Sequence, residues 1–221
     1  MIKFIALIMI FVSVVGYAQT LQSGNPTLDK LFRLAADEVR QNINSAGTFY
    51  AGAKWQGVWT RDSAYSIDLS LAWLFPENAE KTLNALLTDS GDIKQDTGTG
   101  GGYPISSDRI VWALAAYRLA DFKNDPEYSR FVYDTVARAV DYDWNVTFDT
   151  QTGLYRGETS FLDWREQTYS MAMECNAIGN SFALSTNILY YIALDGLGRL
   201  SDKMGLPDGE KWHNQAKALD A

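Results

Sequence analysis

The chain is 221 residues long, 47% hydrophobic and 21% charged, a balance that suits one domain-sized core and excludes a disordered chain or a fibrous repeat. Its 19 Lys and Arg against 27 Asp and Glu give a formal charge of −8; with no basic patch to offset this, no nucleic-acid partner is expected. Aromatic residues reach 13%, including 7 Trp and 12 Tyr, a surplus that suits a large core and equally suits flat apolar faces for a ligand such as a sugar ring.

Lys3, the apolar run Phe4 to Val15 and the small-residue site Gly16-Tyr17-Ala18 read as an export signal over residues 1–18. About 12 apolar residues are too few for the ~20 that a spanning helix needs. The product is therefore expected in the periplasm or outside the cell, with no stable membrane insertion once the signal is removed. Cys175 is the single cysteine, so packing, without an internal disulfide, has to stabilise the protein in that oxidising compartment.

From Asn25 onward the dominant period is helical, and two kinds of helix alternate. Leu28, Leu31, Phe32, Ala35, Val39 and Ile43 form a stripe on a first, half-exposed helix. A second, starting at Arg61-Asp62 and running through Ala64, Ile67, Leu69, Leu71 and Trp73, is expected to be buried nearly all round. The alternation repeats with amphipathic Glu77 to Thr88 and apolar Asp108 to Phe122, then with amphipathic Glu127 to Trp144 and apolar Ala177 to Leu200. A last amphipathic piece follows Pro207. The expected fold is all-α: a partial (α/α)6 toroid of outer and inner helices, with a small β-hairpin insertion between Asn145 and Leu162 around Thr152-Gly153. Seven helices make an odd count and Lys217 to Ala221 carries no C-terminal cap, so residues 19–221 are expected to be the N-terminal part, about half, of such a domain.

The glycine-rich loop Asp89 to Ser107 has neither a preceding strand nor a following Gly-Lys-Ser/Thr, which argues against a phosphate loop. Asp89, Asp92 and Asp96 match no calcium-ligand spacing and read as solvated loop residues; no metal or organic cofactor is implied. His213, the lone histidine, reads as a solvent-facing residue without a role.

In a toroid the loops entering the inner helices share one mouth, and three polar clusters fall there. The first is Trp55-Gln56-Gly57-Val58-Trp59-Thr60-Arg61-Asp62-Ser63. Asp62 suits the positive end of a helix and Arg61 does not. The pair is either a local ion pair at a cap or a fork of donors and acceptors for vicinal hydroxyls, with Trp59 as an apolar face. The second is Gly102-Tyr103-Pro104 with Asp108. The third, Gly157 to Gln167, is dense in carboxylates: Glu158, Asp163 and Glu166, with Trp164 and Arg165 between the last two.

Val58-Trp59-Thr60-Arg61-Asp62-Ser63 before an apolar helix resembles the Trp-Thr-Arg-Asp-Ser segment of glucoamylases, members of the six-hairpin glycosidase superfamily that includes trehalases and processing α-glucosidases. The resemblance implies a (α/α)6 glycoside hydrolase, inverting and acting on α-linked sugars at the non-reducing end, with Trp59, Arg61 and Asp62 lining the terminal sugar subsite. Tyr103 and Asp108 resemble the equivalent glucoamylase loop and join the binding set, as does Trp164. Ser160-Phe161-Leu162-Asp163 resembles the segment that carries the acid of trehalases, which implies Asp163 as general acid; its apolar neighbours Phe161, Leu162 and Trp164 disfavour the charged form. The glucoamylase pattern, a Glu after a Trp, points instead to Glu166, and an ion pair with Arg165 is the bland alternative. An inverting enzyme also needs a base about 6.5–9.5 Å from the acid. Relatives supply it from a later helix, so this chain is expected to lack it and to be inactive by itself. The alternative from another class is a carbohydrate-binding or scaffold protein that keeps only the sugar subsite.

Overall fold

The computed structural model describes residues 20–96, 101–159, 169–170 and 173–219. The expected export segment and the candidates Asp163, Trp164 and Glu166 lie outside these residues. The chain divides into two units, Met1–Glu38 and Val39–Ala221. Helix α1, Pro26–Gln41, starts where Asn25 Oδ1 accepts from Thr27 N at 3.0 Å, an N-cap. Within the first unit Leu28 and Leu31 of the expected stripe are exposed, as is Leu34. Ile43 lies beyond the helix and pairs as a β-bridge with Phe49.

In the second unit α2, Thr60–Ser66, continues through a π turn over Ile67–Leu71 into α3, Ala72–Leu74. Thr60, Arg61, Ser63, Ala64, Ile67, Leu71 and Ala72 are buried, whereas Leu69 is 72% and Trp73 45% exposed. The expectation of burial all round is thus corrected: one face of this helix is open. Arg118 reaches it, bonded to Asp68 at 3.0 Å with its guanidinium 5.7 Å from the Trp73 ring centre.

Helix α4, Pro76–Ala85, begins on a proline that needs no N–H partner there and ends before the expected Thr88, because Leu87 pairs with Ile93. A 3-10 turn over Asp108–Val111 leads into α5, Trp112–Lys123, which ends on the left-handed Asn124. Small residues let neighbours approach α5 closely: Ala113, Ala115, Ala116 and Ala120 are buried together with Trp112 and Leu119, while Arg118 and Asp121 leave one side exposed. Helix α6, Pro126–Val146, is capped by Asp125, whose side chain accepts from Glu127 N, and buries Val132, Val136 and Val140.

The expected hairpin is a two-stranded antiparallel ribbon, β1 Phe148–Asp149 and β2 Leu154–Tyr155, with Phe148 opposite Tyr155. The long inner helix expected from Ala177 is two elements, α7 Cys175–Gly179 and α8 Leu184–Met204. The break has a local cause. Asn180 Nδ2 donates to Asn176 O at 2.8 Å and Ser181 Oγ to Ile178 O at 2.7 Å, side-chain bonds that compete with further helix. Gly157 then bridges to Phe182 in the gap. Helix α9, Gly209–Leu219, packs on α8, which also packs on α6 and α5, and α5 on α2, α4 and α6. His213 is partly exposed and sits 2.9 Å from Asp202 Oδ2. None of the described helices is long and apolar enough to cross a membrane.

Candidate functional site

The residue before α2, Trp59, has extended backbone angles and no side-chain cap bond, since an indole offers no acceptor. A distant residue does the capping. Asp96 Oδ1 accepts from Thr60 N at 3.0 Å and Asp96 Oδ2 from Arg61 N at 2.9 Å, while Thr60 Oγ1 donates to Lys94 O at 2.8 Å. The neighbouring Gln95 does the same for the 3-10 turn: its Oε1 accepts from Arg109 N at 2.8 Å and its Nε2 donates to Asp108 Oδ1 at 2.8 Å. The segment Lys94-Gln95-Asp96 therefore straps together the starts of two helices. Asp96 corrects the reading of a solvated loop aspartate. Burial pushes its carboxyl above the ordinary value, opposed by the Arg61 and Thr60 backbone N–H groups and by the Arg61 charge.

With its backbone fixed, Arg61 turns into a carboxylate cluster. Its Nε is 2.7 Å from Asp108 Oδ2, and the two side chains are 10% and 2% exposed. Its Nη2 is 4.0 Å from Glu158 Oε1, on a side chain with no exposure. Ser106 Oγ donates to the same Glu158 oxygen, and Thr186 Oγ1 donates to the Glu158 backbone carbonyl. The starts of α2, of the 3-10 turn and of α8 and the loop that carries Glu158 converge on this point. A guanidinium so flanked keeps a fixed orientation, which an arginine on an open surface does not.

Trp59 and Trp55 lie at the surface beside this cluster in the chain, 38% and 54% exposed, with ring centres 6.2 Å apart and planes tilted by 55°. Gly57 makes room for the turn: a Cβ there would sit 2.5 Å from the Trp59 indole. Asp62 is exposed in the first turn of α2. The structure thus joins Arg61 with Asp108 and leaves Trp59 and Asp62 open to solvent.

Tyr103 does not join that group. Its hydroxyl donates to Asp143 Oδ1 at 2.8 Å and its ring lies 4.2 Å from the Arg109 guanidinium. Asp143, fully buried on α6, also receives Arg109 Nη2 at 2.6 Å and the Tyr190 hydroxyl at 2.9 Å. Burial raises its pKa, and Arg109 with the two phenols pulls it back. This second knot ties α6 to the 3-10 turn and α8. Gln95, Asp96, Ser106 and Glu158 make bonds around Arg61 and Asp108 that the spacing of the sequence did not assign. Glu158 alone had a visible signal, as the first carboxylate of the dense third cluster.

Among the described residues no group of three His, Cys, Asp or Glu side chains is arranged to hold a metal ion. No family model matches the sequence, and comparisons with curated proteins and with solved structures find no match.

Proposed function

We propose that the chain is the sugar-binding part of an exported, inverting glycoside hydrolase of the six-hairpin type, acting on α-linked sugars at the non-reducing end. Outer and inner helices alternate around a toroid, and the mouth holds the terminal sugar by Trp59, Arg61 and Asp62. The observation that carries the reading is the buried Arg61–Asp108 pair at the start of α2, with exposed Trp55 and Trp59 next to it in the chain. A fixed guanidinium and an exposed carboxylate, Asp62, offer donors and acceptors for vicinal hydroxyls, and an indole offers the face for the ring. Asp163 is the general acid, with Glu166 as the competing assignment.

The first test is binding of neutral α-linked oligosaccharides of glucose, mannose and galactose by the 221-residue chain. Trp59→Ala and Asp62→Asn each weaken binding by about tenfold, the size of one lost charged or stacking contact; no binding by the parent chain overturns the reading. In the natural protein Asp163→Ala loses about 10²–10⁴ in rate on a poor alcohol leaving group and far less on a glycosyl fluoride, which needs little protonation. The same contrast at Glu166→Ala would move the acid by three positions.

A second reading is a carbohydrate-binding protein without chemistry. It is favoured by one observation: the carboxylates around Arg61 are buried and bonded, an arrangement suited to recognition. Binding without release of reducing sugar by the natural protein selects it.

A further inference from the structure

The end of α6, the β-ribbon, α8 and α9 line a cavity of about 190 Å³ that shares no residue with the Arg61 cluster. Its walls are chiefly apolar. Trp144 and Phe148 stack with ring centres 3.8 Å apart, Tyr155 stands edge-on to Phe148 at 5.0 Å, and Leu194 and Leu219 add aliphatic surface. Two polar atoms of the lining residues, Tyr155 Oη and Gln215 Oε1, are buried without a hydrogen-bond partner. Such atoms are rare in folded proteins because each has given up its bond to water. Tyr155 has no exposure. Its backbone N–H donates to Asn187 Oδ1 at 2.8 Å and its carbonyl accepts from Asn187 Nδ2 at 2.9 Å, so the hydroxyl is its one unmatched group. Burial, with the charges of Asp143 and Asp141, pushes the pKa of that hydroxyl up, which keeps it a neutral donor.

We propose that this cavity is a binding site for a small neutral aromatic compound carrying a hydroxyl, a ligand of phenol size and chemistry, whose ring packs on the aromatic wall and whose polar substituent pairs with Tyr155 Oη and Gln215 Oε1. The inference goes beyond the sugar-site reading and does not rest on it. Size, charge and polarity each narrow the occupant. An apolar cavity of about 150 Å³ takes benzene, so 190 Å³ holds one six-membered ring with a small substituent. None of the described residues that line it is charged, and the Asp143 and Asp141 charges that act on Tyr155 oppose an anion, so the ligand is neutral. A hydroxyl both accepts and donates, which matches one donor and one acceptor. A sugar ring brings several hydroxyls that so apolar a lining would leave unpaired.

The test is titration of the 221-residue chain with phenol, toluene and benzoate, followed on the methyl resonances of Leu194 and Leu219 and by thermal unfolding. Phenol is expected to bind with a Kd of about 1 mM or tighter and to shift both sets of methyl resonances. Toluene fills the same space without a hydroxyl and benzoate brings a charge; each is expected to bind about tenfold more weakly than phenol. Tyr155→Phe keeps the ring and removes the hydroxyl. It is expected to weaken phenol about tenfold and to leave toluene within about twofold, while the ligand-free variant unfolds at or above the temperature of the parent, since no hydrogen bond is lost. Gln215→Leu gives the same split between phenol and toluene, and it is the deciding variant if Tyr155→Phe does not fold. Phenol at about 10 mM without a shift at Leu194 and Leu219, or with shifts only at Leu184 on the exposed face of α8, overturns the proposal. So do equal affinities of the parent for phenol and toluene, which would mean that water serves the two polar atoms, and so does benzoate binding as tightly as phenol. A folded Tyr155→Phe that binds phenol like the parent overturns it as well.

Discussion

Gln95 and Asp96 show how two adjacent polar side chains do work that neither helix can do for itself. Each helix start leaves backbone N–H groups without intrahelical partners, and here the acceptors come from a loop some 35 residues downstream of α2. Gln95→Ala removes the partner of Asp108 Oδ1 and of Arg109 N together. Loss of partly buried hydrogen bonds of this kind costs about 1–3 kcal/mol, measurable by urea unfolding; a loss below about 0.5 kcal/mol would show that the strap is dispensable. Asp96 adds a pH dependence of definite sign. Its folded pKa is raised, chiefly by burial, so between the ordinary aspartate value of 3.8 and its raised value the folded state binds more protons than the unfolded state. The contribution of Asp96 to stability therefore falls as pH rises through that window. Asp96→Asn is expected to flatten this part of the stability profile, and a profile that keeps its slope would assign the slope to another group.

At the scale of elements, the approach of α8 to α5 depends on a missing side chain. A Cβ at Gly196 would sit 2.0 Å from Cε2 of the Tyr117 ring, whose hydroxyl donates to Ala193 O at 2.7 Å. Gly196→Ala is expected to cost about 1–3 kcal/mol through overpacking, whereas Gly52→Ala, with nothing within 4 Å of its Cβ, should stay within about 0.5 kcal/mol. Equal effects in thermal unfolding would mean that the contact relaxes without cost. Elements whose signals are local were legible in the sequence: α5 from its run of alanines and leucines, α6 from its amphipathic stripe after Asp125-Pro126, and the hairpin from Thr152-Gly153. The break between α7 and α8 was not, because Ala177 to Leu200 is apolar enough to read as one helix and the side-chain bonds of Asn180 and Ser181 change composition little. The candidate site divides in the same way. Arg61 stood out because a positive charge at the start of an apolar helix needs a partner, and Asp108 through the resemblance of its loop. The partners Gln95, Asp96, Ser106 and Glu158 come from distant loops, and no periodicity encodes which polar loop residue folds inward.

For the molecule as a whole, the feature of the second unit that bears on association is the apolar surface left open on two helices. Leu184, Ile188 and Tyr191 follow one another at helical spacing on α8 and are 75%, 42% and 37% exposed; Leu69 and Trp73 are 72% and 45% exposed on the segment from α2 to α3. Residues four and three apart lie on one helix face, so the three on α8 form a stripe. Apolar stripes of this kind mark association surfaces in soluble proteins. In the proposed toroid they are the faces that neighbouring hairpins would cover. The 221-residue chain is therefore expected to self-associate at micromolar concentration and to bind a hydrophobic dye. Leu184→Ser combined with Ile188→Ser should reduce both without lowering the melting temperature, because neither side chain contributes to the buried core. Light scattering and dye fluorescence give the measurement. A parent chain that stays monomeric at about 100 μM and leaves the dye dark would mean that this surface is tolerated in water, and the case for covering hairpins would lose its physical motive.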